Sequence, residues 1–419
     1  MAVLRLQRPL WLRERSAGKA RSYPQLRTAL VVDVAILGGG VTGAMAAWRL
    51  ATAGVRVAVL EAGRVGRGST AASTALLMQE PDEDFSALRA RYGARATKQI
   101  WKLSRSATRD LIGTLRRLDI SCGLEVRDSI YFTLDEGATE LWREHRSRER
   151  SGVSSRWLDA ASLSRVAGIT GGGAIRTSGN AQADPYRVCL GFLNAAERCG
   201  ARVYERSFAG RAEVGRRGVL LKTTRGSVQA SHLVVATGYA TPEFRPLGAR
   251  FQMLQTYVVA TEPLSSRTRD RLGLTNVMLW DTGRPYHYAR WTSEGRLLLG
   301  GGDRPAVSGQ RRVAAFRAGV ASVRDYFEQL YPALEHVRTD AWEGLFATTP
   351  DGLPYIGPHR RYPRHLFALG YGGNGMTFGF LASRLLMEQL SGSSSEDHEL
   401  FAFGRARRAR VTAATRAAR

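Results

Sequence analysis

The chain is poor in lysine. Lys19, Lys98, Lys102 and Lys222 are the whole set, yet Lys and Arg together number 61 and the formal charge is +24. The excess is arginine, scattered along the chain with local clusters at 143–150 (REHRSRER) and 405–419 (RARRARVTAATRAAR). Neither cluster has interleaved aromatics or a nucleic-acid-binding signature, so the charge reads as solvated faces and no nucleic-acid partner is expected. Cysteine is scarce too. Cys122, Cys189 and Cys199 are odd in number and lack zinc-like spacing. That excludes a disulfide framework, suggests no metal site, and points to buried thiols in a reducing compartment. Long apolar runs are also missing. Glycines and arginines break the stretch from 29 to 60, and Arg5, Arg8, Arg13 and Arg15 interrupt any secretory core. No membrane span and a cytoplasmic location are the expectations.

What is present is glycine in a particular setting. VVDVAILGGGVTGAMAAWRLATAGVRVAVLE runs from Val31 to Glu61. A short apolar strand ends at Leu37, a glycine turn opens a helical pattern, and a second apolar strand ends on an acid. This is the G-x-G-x-x-G dinucleotide fingerprint in its full βαβ context. Gly38 makes the tight turn, Gly40 lets backbone approach a pyrophosphate, and Gly43 lets the helix pack close to the strand. The helix N-terminus offers N–H groups and the positive end of its dipole. Glu61, about 20 residues on, is placed to accept hydrogen bonds from a ribose diol.

Further along, Arg64 to Thr74 is small and hydroxyl-rich, suited to presenting N–H and hydroxyl groups to a cofactor. An amphipathic helical pattern covers about 84–118, Gly123 to Leu134 reads as a strand pair, and another helix follows at about 136–150. Asp184-Pro185 is an N-cap with proline at the first helical position. The strand Leu233 to Gly238 ends in Ala-Thr-Gly, placing Thr237 and Gly238 at the carboxyl edge of a sheet, where α/β ligands bind. From 250 to 302, alternating aromatics and turn residues suggest a mostly antiparallel sheet and a second domain. A second glycine-rich turn, Gly370 to Thr377, opens a helix running to about Leu390, and its N–H groups suit negative charge on a bound ring. No second fingerprint exists: Gly171 to Gly173 is followed by Arg176, and Gly300 to Gly302 by Pro305, where the closing glycine belongs. A separate nicotinamide domain is thereby argued against.

The order GGGVTG with Glu61, RGSTAAST, the Asp184-Pro185 helix, ATGY, DGLPYIG and GYGGNGMTFG resembles the D-amino-acid-oxidase-like FAD-dependent oxidoreductases, over roughly residues 23–405. The γ-glutamylputrescine-oxidase-like branch is the nearest in flavour, from PLWL, TYVVATEPL and YHYAR. The resemblance implies an α/β fold, α+β overall: a Rossmann-like FAD-binding domain with an inserted substrate domain on a mostly antiparallel sheet. The expected division is 1–85, 155–245 and 338–395 for the FAD-binding domain, 86–154 and 246–337 for the substrate domain, and a basic tail at 396–419.

Carried onto this chain, Gly38, Gly40, Val41, Thr42 and Gly43 bind the pyrophosphate, and Glu61 with Ala62 the adenosine side. Arg67, Gly68, Ser69 and Thr70 line the cofactor on the next loop, and Phe208 holds adenine through its backbone. Gly373, Asn374, Gly375, Met376 and Thr377 face the pyrimidine edge of the flavin. Monomeric sarcosine oxidase tethers its flavin through a cysteine where this chain has Gly344, and Ser69-Thr70-Ala71 has no histidine for the other known linkage. Non-covalent FAD is the expectation. Sarcosine oxidase also activates oxygen with a lysine; no lysine follows Lys222, so that role is absent here or filled by arginine or histidine.

The implied reaction is oxidation of a C–N bond in an amine or amino acid by hydride transfer to flavin N5, with the imine hydrolysed and the electrons passed to O2 or another acceptor. It needs no strong general base, in keeping with the lack of a Ser/His/Asp or paired-carboxylate constellation. The candidate catalytic residues on the middle sheet are Tyr257, Tyr288 and Arg290, the arginine as a bidentate clamp for a substrate carboxylate. His287 alternates to the opposite face. Two other readings stand beside this one. One is an FAD-dependent dehydrogenase of another CH–NH or CH–OH substrate with a non-oxygen acceptor. The other is a non-catalytic or nucleic-acid-associated flavoprotein.

Overall fold

The computed structural model describes residues 5–13, 22–134 and 137–405. The strand Ala29–Leu37 lies in the middle of a parallel set. Ser227–Gly238 runs along one side and Val57–Leu60 along the other, with Tyr362–Leu369 and Arg202–Tyr204 outside them. These strands are apolar on both faces because both faces are covered. Val34, Ile36, Val59 and Val234 point into one core, and Ala35, Leu37, Ala58, Leu233 and Val235 into another. The helix Val41–Thr52 is almost wholly small or apolar and buried. It wedges between the sheet and the helices Pro185–Arg198 and Gly375–Leu390, where Trp48 meets Phe192 at 5.3 Å and Phe380 at 6.3 Å between ring centres. Asp184 caps the Pro185 helix, its side chain accepting from the N–H groups of Tyr186 and Arg187.

The second sheet has ten strands and is antiparallel except where Met278–Asp281 runs parallel to Glu125–Thr133. Its middle is Gln252–Thr261, Leu297–Pro305 and His287–Trp291. The helix Gln310–Leu330 covers its outer face through Val323 and Phe327. Among the described residues no helix is long and apolar enough to cross a membrane.

Several boundaries differ from those expected. Gly123 to Leu134 forms one strand, Glu125–Thr133, and no hairpin: its neighbours are Gly173–Gln182 and Met278–Asp281, both distant in sequence. Arg156–Leu158 and Gly173–Gln182, expected in the FAD-binding domain, join the second sheet, as does Thr339–Thr348. Conversely the long helix Phe85–Arg117, kinked at Gly93, puts Phe85, Leu88, Ile100 and Leu111 into the core beneath the parallel sheet. Sheet membership is decided by long-range pairing, which a strand's own periodicity does not report. The expected tail is shorter as well. Residues 396–401 form a helix, Glu396–Phe401, with Phe401 fully buried, and Arg405 is buried too. Of that expected tail, residues 406–419 lie outside the described residues. The cluster at 143–150 is not entirely solvated either. Arg148 is buried, pairs with Glu144 at 2.7 Å and Asp84 at 3.3 Å, and lies over Trp101 at 4.8 Å.

Candidate active site

A cavity of about 1250 Å³ runs from the glycine turn at Gly38 to the inner face of the second sheet. It exceeds the roughly 300–1,000 Å³ of ordinary small-ligand pockets. At its first end three glycines have separate physical reasons. Gly38 has φ +106, and a Cβ there would meet the carbonyl oxygen of Ala236 at 2.5 Å. A Cβ on Gly43 would sit 1.9 Å from the carbonyl oxygen of Gly38, so this helix approaches its strand only with glycine. Gly40 has extended backbone, and a Cβ there would meet just the Thr70 hydroxyl, at 3.2 Å. Gly40 offers no side-chain cap to the helix. Val41 donates its N–H to Thr70 Oγ1 at 3.0 Å, and Gly40, Val41 and Thr42 all line the cavity. The first helical turn thus opens onto it.

Glu61 lines the same end. Its carboxylate accepts from the N–H groups of Gly39 at 2.8 Å and Gly63 at 2.7 Å, which hold it in place and leave lone pairs on both oxygens. Burial raises its pKa, and those two N–H groups pull against the rise. Ala62, Gly68, Ser69, Thr70, Phe208, Thr237 and Gly238 line the cavity as well. The second glycine turn closes the other end with Gly373, Asn374, Gly375 and Met376. The helix Gly375–Leu390 begins there without a side-chain cap, so two uncapped helix N-termini share one cavity. Residues separated by more than three hundred positions are thereby brought together.

Five expected site residues do not line it. Gly43 lies beneath the turn, in its packing role. Arg67 accepts at its backbone oxygen from Arg5 Nε at 2.9 Å. Thr377 turns inward and donates to the Met78 carbonyl at 2.7 Å. Tyr257 packs on the far side of its strand, its ring against Gly319 of the covering helix. The pleat explains this: Thr256 lines the cavity, so its neighbour points away. Arg290 shares a face with Tyr288, but its guanidinium is committed to backbone carbonyls, at 2.6 Å from Thr74, 2.9 Å from Ala183 and 3.1 Å from Trp291. Tyr288 does line the cavity, and His287 points the other way, its Nδ1 3.2 Å from Asp281 Oδ2.

The sheet end holds residues that sequence reading passed over: Asp82, Thr256, Trp280, Arg284, Tyr286 and Asp303. Tyr286 shares the alternation of Tyr288, a signal that was available. Asp303 follows Gly300 to Gly302 at the end of the stretch expected to be strand, and Asp82 lies in a loop without any signature. Asp82 accepts from the Gly373 N–H at 2.6 Å and the Asn374 amide at 3.0 Å. Burial pushes its pKa from 3.8 up to about 7, with Asp303 and Glu83 adding to the rise. Burial likewise lifts Asp303 to about 6 and Tyr288 to about 12, so the tyrosine stays a hydrogen-bond donor at neutral pH.

These shifts carry a stability consequence. A folded Asp82 keeps its proton to about pH 7 while the unfolded group releases it near 3.8. The stability this proton confers is full below 3.8 and is lost as pH rises through about 7. Flavin-free protein is expected to unfold at lower urea at pH 8 than at pH 5, and Asp82→Asn to flatten that difference. An unchanged pH slope in the variant counts against the assignment.

The profile of the family described as FAD dependent oxidoreductase (DAO) matches residues 33–389. The γ-glutamylputrescine oxidoreductase of Escherichia coli is 28% identical over 385 residues, covering 90% of this chain and 88% of its own. The glycine oxidase of Bacillus licheniformis is 28% identical over 378 residues, covering 88% and 96%. Among solved structures, glycine oxidase from Geobacillus kaustophilus superposes with a TM-score of 0.74 at 24% identity, covering 88% of this chain and 96% of its own. L-proline dehydrogenase from P. horikoshii gives 0.74 at 18% identity, covering 92% and 99%. At these identities the two structures establish the fold.

Proposed function

The chain belongs to the DAO family of FAD-dependent oxidoreductases, and from that premise we propose that it oxidises the C–N bond of a small amine or amino acid and passes the electrons to dioxygen, releasing peroxide. The observation that supports this most is the single cavity joining two uncapped, glycine-lined helix starts to a wall of aromatic and acidic side chains. The cradle suits FAD because its glycines leave room that a Cβ would fill. In this reading Gly38, Gly40 and the first turn at Val41 and Thr42 hold the pyrophosphate, with the N–H groups and the helix dipole countering its charge. Glu61 takes the ribose, and Ala62 and Phe208 flank the adenine. Gly68, Ser69 and Thr70 lie along the middle of the cofactor. Gly373 to Met376 face the pyrimidine edge of the ring.

Bound FAD supplies the acceptor for a hydride leaving the carbon next to the substrate nitrogen. The protein's part is to orient that carbon, exclude water and keep the reacting nitrogen neutral. Trp280, Tyr286 and Tyr288 supply apolar surface and two hydroxyl donors; Met78, Met253 and Phe346 add to the dry lining. Among the described residues neither cysteine nor histidine lines the cavity, which supports non-covalent attachment. Acid precipitation is expected to leave the yellow colour in the supernatant, and colour in the pellet refutes it.

The test of the function is anaerobic bleaching of the flavin by a panel of amines and amino acids, followed by peroxide measurement in air. Bleaching with peroxide release supports the proposal. Bleaching without peroxide overturns the oxygen step, and no bleaching overturns the reaction.

A further inference from the structure

The sheet end of the cavity is equipped for a cation. The arginine expected to clamp a carboxylate, Arg290, points its whole fork at three carbonyls and lies over the Trp11 ring at 5.1 Å. In its place the lining carries two carboxyls from separate elements. Asp82 comes from the loop before the long helix, and Asp303 from the strand Leu297–Pro305. The two sense each other electrostatically, and Asp303 also acts on Tyr286 and Tyr288. Among the described residues neither acid is in an ion pair, and Asp303 Oδ1 is buried with no hydrogen-bond partner. A buried acceptor left without a donor is unfavourable, so a donor that arrives with the substrate is favoured there. Arg284 lies at the exposed edge of this wall, donates to the Gly283 carbonyl, engages Tyr131 and partly offsets the charge of Asp82.

We propose, building on the amine-oxidising reading above, that the substrate is an aliphatic diamine. Its distal ammonium pairs with the Asp303 carboxylate among Tyr286, Tyr288 and Trp280, while its other nitrogen, neutral, is presented for oxidation. The aromatic faces add cation–π attraction to the ion pair. Burial has already raised both carboxyls, and a bound cation draws them back toward ionisation. A carboxylate beside the reacting carbon meets Asp82 and Asp303, and the arginine that could have clamped it, Arg290, is committed to backbone carbonyls, which disfavours α-amino acids. In the reaction the single bond between the neutral amino nitrogen and its methylene carbon becomes a C=N double bond. The carbon gives up one hydrogen as hydride and the nitrogen one as a proton, so two electrons and two protons leave to the FAD and then to the acceptor. Water next splits the C=N bond to give an aminoaldehyde and ammonia.

The holoenzyme is tested by anaerobic flavin reduction with 1,4-diaminobutane, 1-aminobutane, glycine and L- and D-alanine. At limiting concentration the diamine is expected to outpace the monoamine by about tenfold or more, with the amino acids slower still. Asp303→Asn is expected to lower the diamine-to-monoamine ratio by about tenfold. That loss should lie in the half-saturating concentration and not in the limiting rate, and Asp303→Glu should restore part of it. Amino acids reducing the flavin faster than the diamine overturn the inference while leaving the amine or amino-acid reading intact. So does an unchanged ratio in Asp303→Asn. If nothing in the panel reduces the flavin, both fall. Should Asp303→Asn retain no flavin, the wild-type ratio alone decides.

Discussion

Gly43→Ala protein is expected to purify colourless and to unfold earlier than its parent. The added Cβ falls 1.9 Å from the carbonyl oxygen of Gly38, a backbone atom in the turn proposed to cradle the pyrophosphate. No rotamer relieves that overlap, so the helix Val41–Thr52 backs away from its strand. The retreat loosens the packing of Trp48 on Phe192 and Phe380 and displaces the N–H groups of the first turn. FAD affinity is expected to drop by at least about a hundredfold, near 2.7 kcal/mol. Gly40→Ala separates binding from folding. At Gly40 the backbone is extended and the nearest atom to a Cβ is the movable Thr70 hydroxyl, at 3.2 Å. That variant is expected to keep the flavin-free melting temperature of the parent and to lose affinity for FAD, because the Cβ would occupy the space proposed for the phosphates. Titration of flavin-free protein with FAD, with melting curves alongside, reads both. A Gly43→Ala protein that stays yellow and equally stable contradicts the packing argument. A Gly40→Ala protein that binds FAD normally contradicts the pyrophosphate assignment.

Arg405→Ala is expected to cost about 3–5 kcal/mol of stability, the range for removing one partner of a buried ion pair. The Arg405 and Asp351 side chains are 2% and 6% exposed, so water is in no position to replace the lost contact. Arg405 meets both oxygens of Asp351 at 2.8 Å, donates to the carbonyls of Leu353 and Pro354, and lies 3.9 Å over the Tyr355 ring. Burial by itself raises the Asp351 carboxyl, and the arginine overrides it, holding the pKa down to about 2. Taking the arginine away leaves a buried carboxylate supported mainly by Tyr92 and Thr349. Adding Asp351→Asn to Arg405→Ala removes the uncompensated charge and is expected to recover part of the loss in urea unfolding. A single variant within 1 kcal/mol of the parent, by the same measurement, rules this pair out as the anchor of the chain's last described residues.

The half of the site proposed to bind the ADP moiety was legible because its chemistry is local. The strand, turn, helix and acid all lie between Ala29 and Glu61, and the glycine spacing states the required close approaches directly. The turn at Gly373 was legible for the same reason. The substrate wall was not. Tyr257 and Tyr288 read alike as aromatics in strands, yet one faces the covering helix and the other the cavity. Which face is inward depends on which strands pair and in what register. Arg290 looked like a clamp because a lone arginine in a strand reveals nothing of the carbonyls around it.

Sequence alone determined the nucleotide turn, which rests on contacts within a few tens of residues, and, from local periodicity and the order of motifs, the α/β class, the antiparallel character of the second sheet and the family resemblance. Tertiary structure alone decided that Arg405 is an anchor and not part of a solvated tail. It also decided that Arg148 is core, and that Asp82 and Asp303 share the wall of one cavity. Those outcomes depend on burial and on partners far away in the chain, and charge is the property whose meaning burial changes most: an exposed arginine is solvent decoration, whereas a buried one must find an acid or a carbonyl.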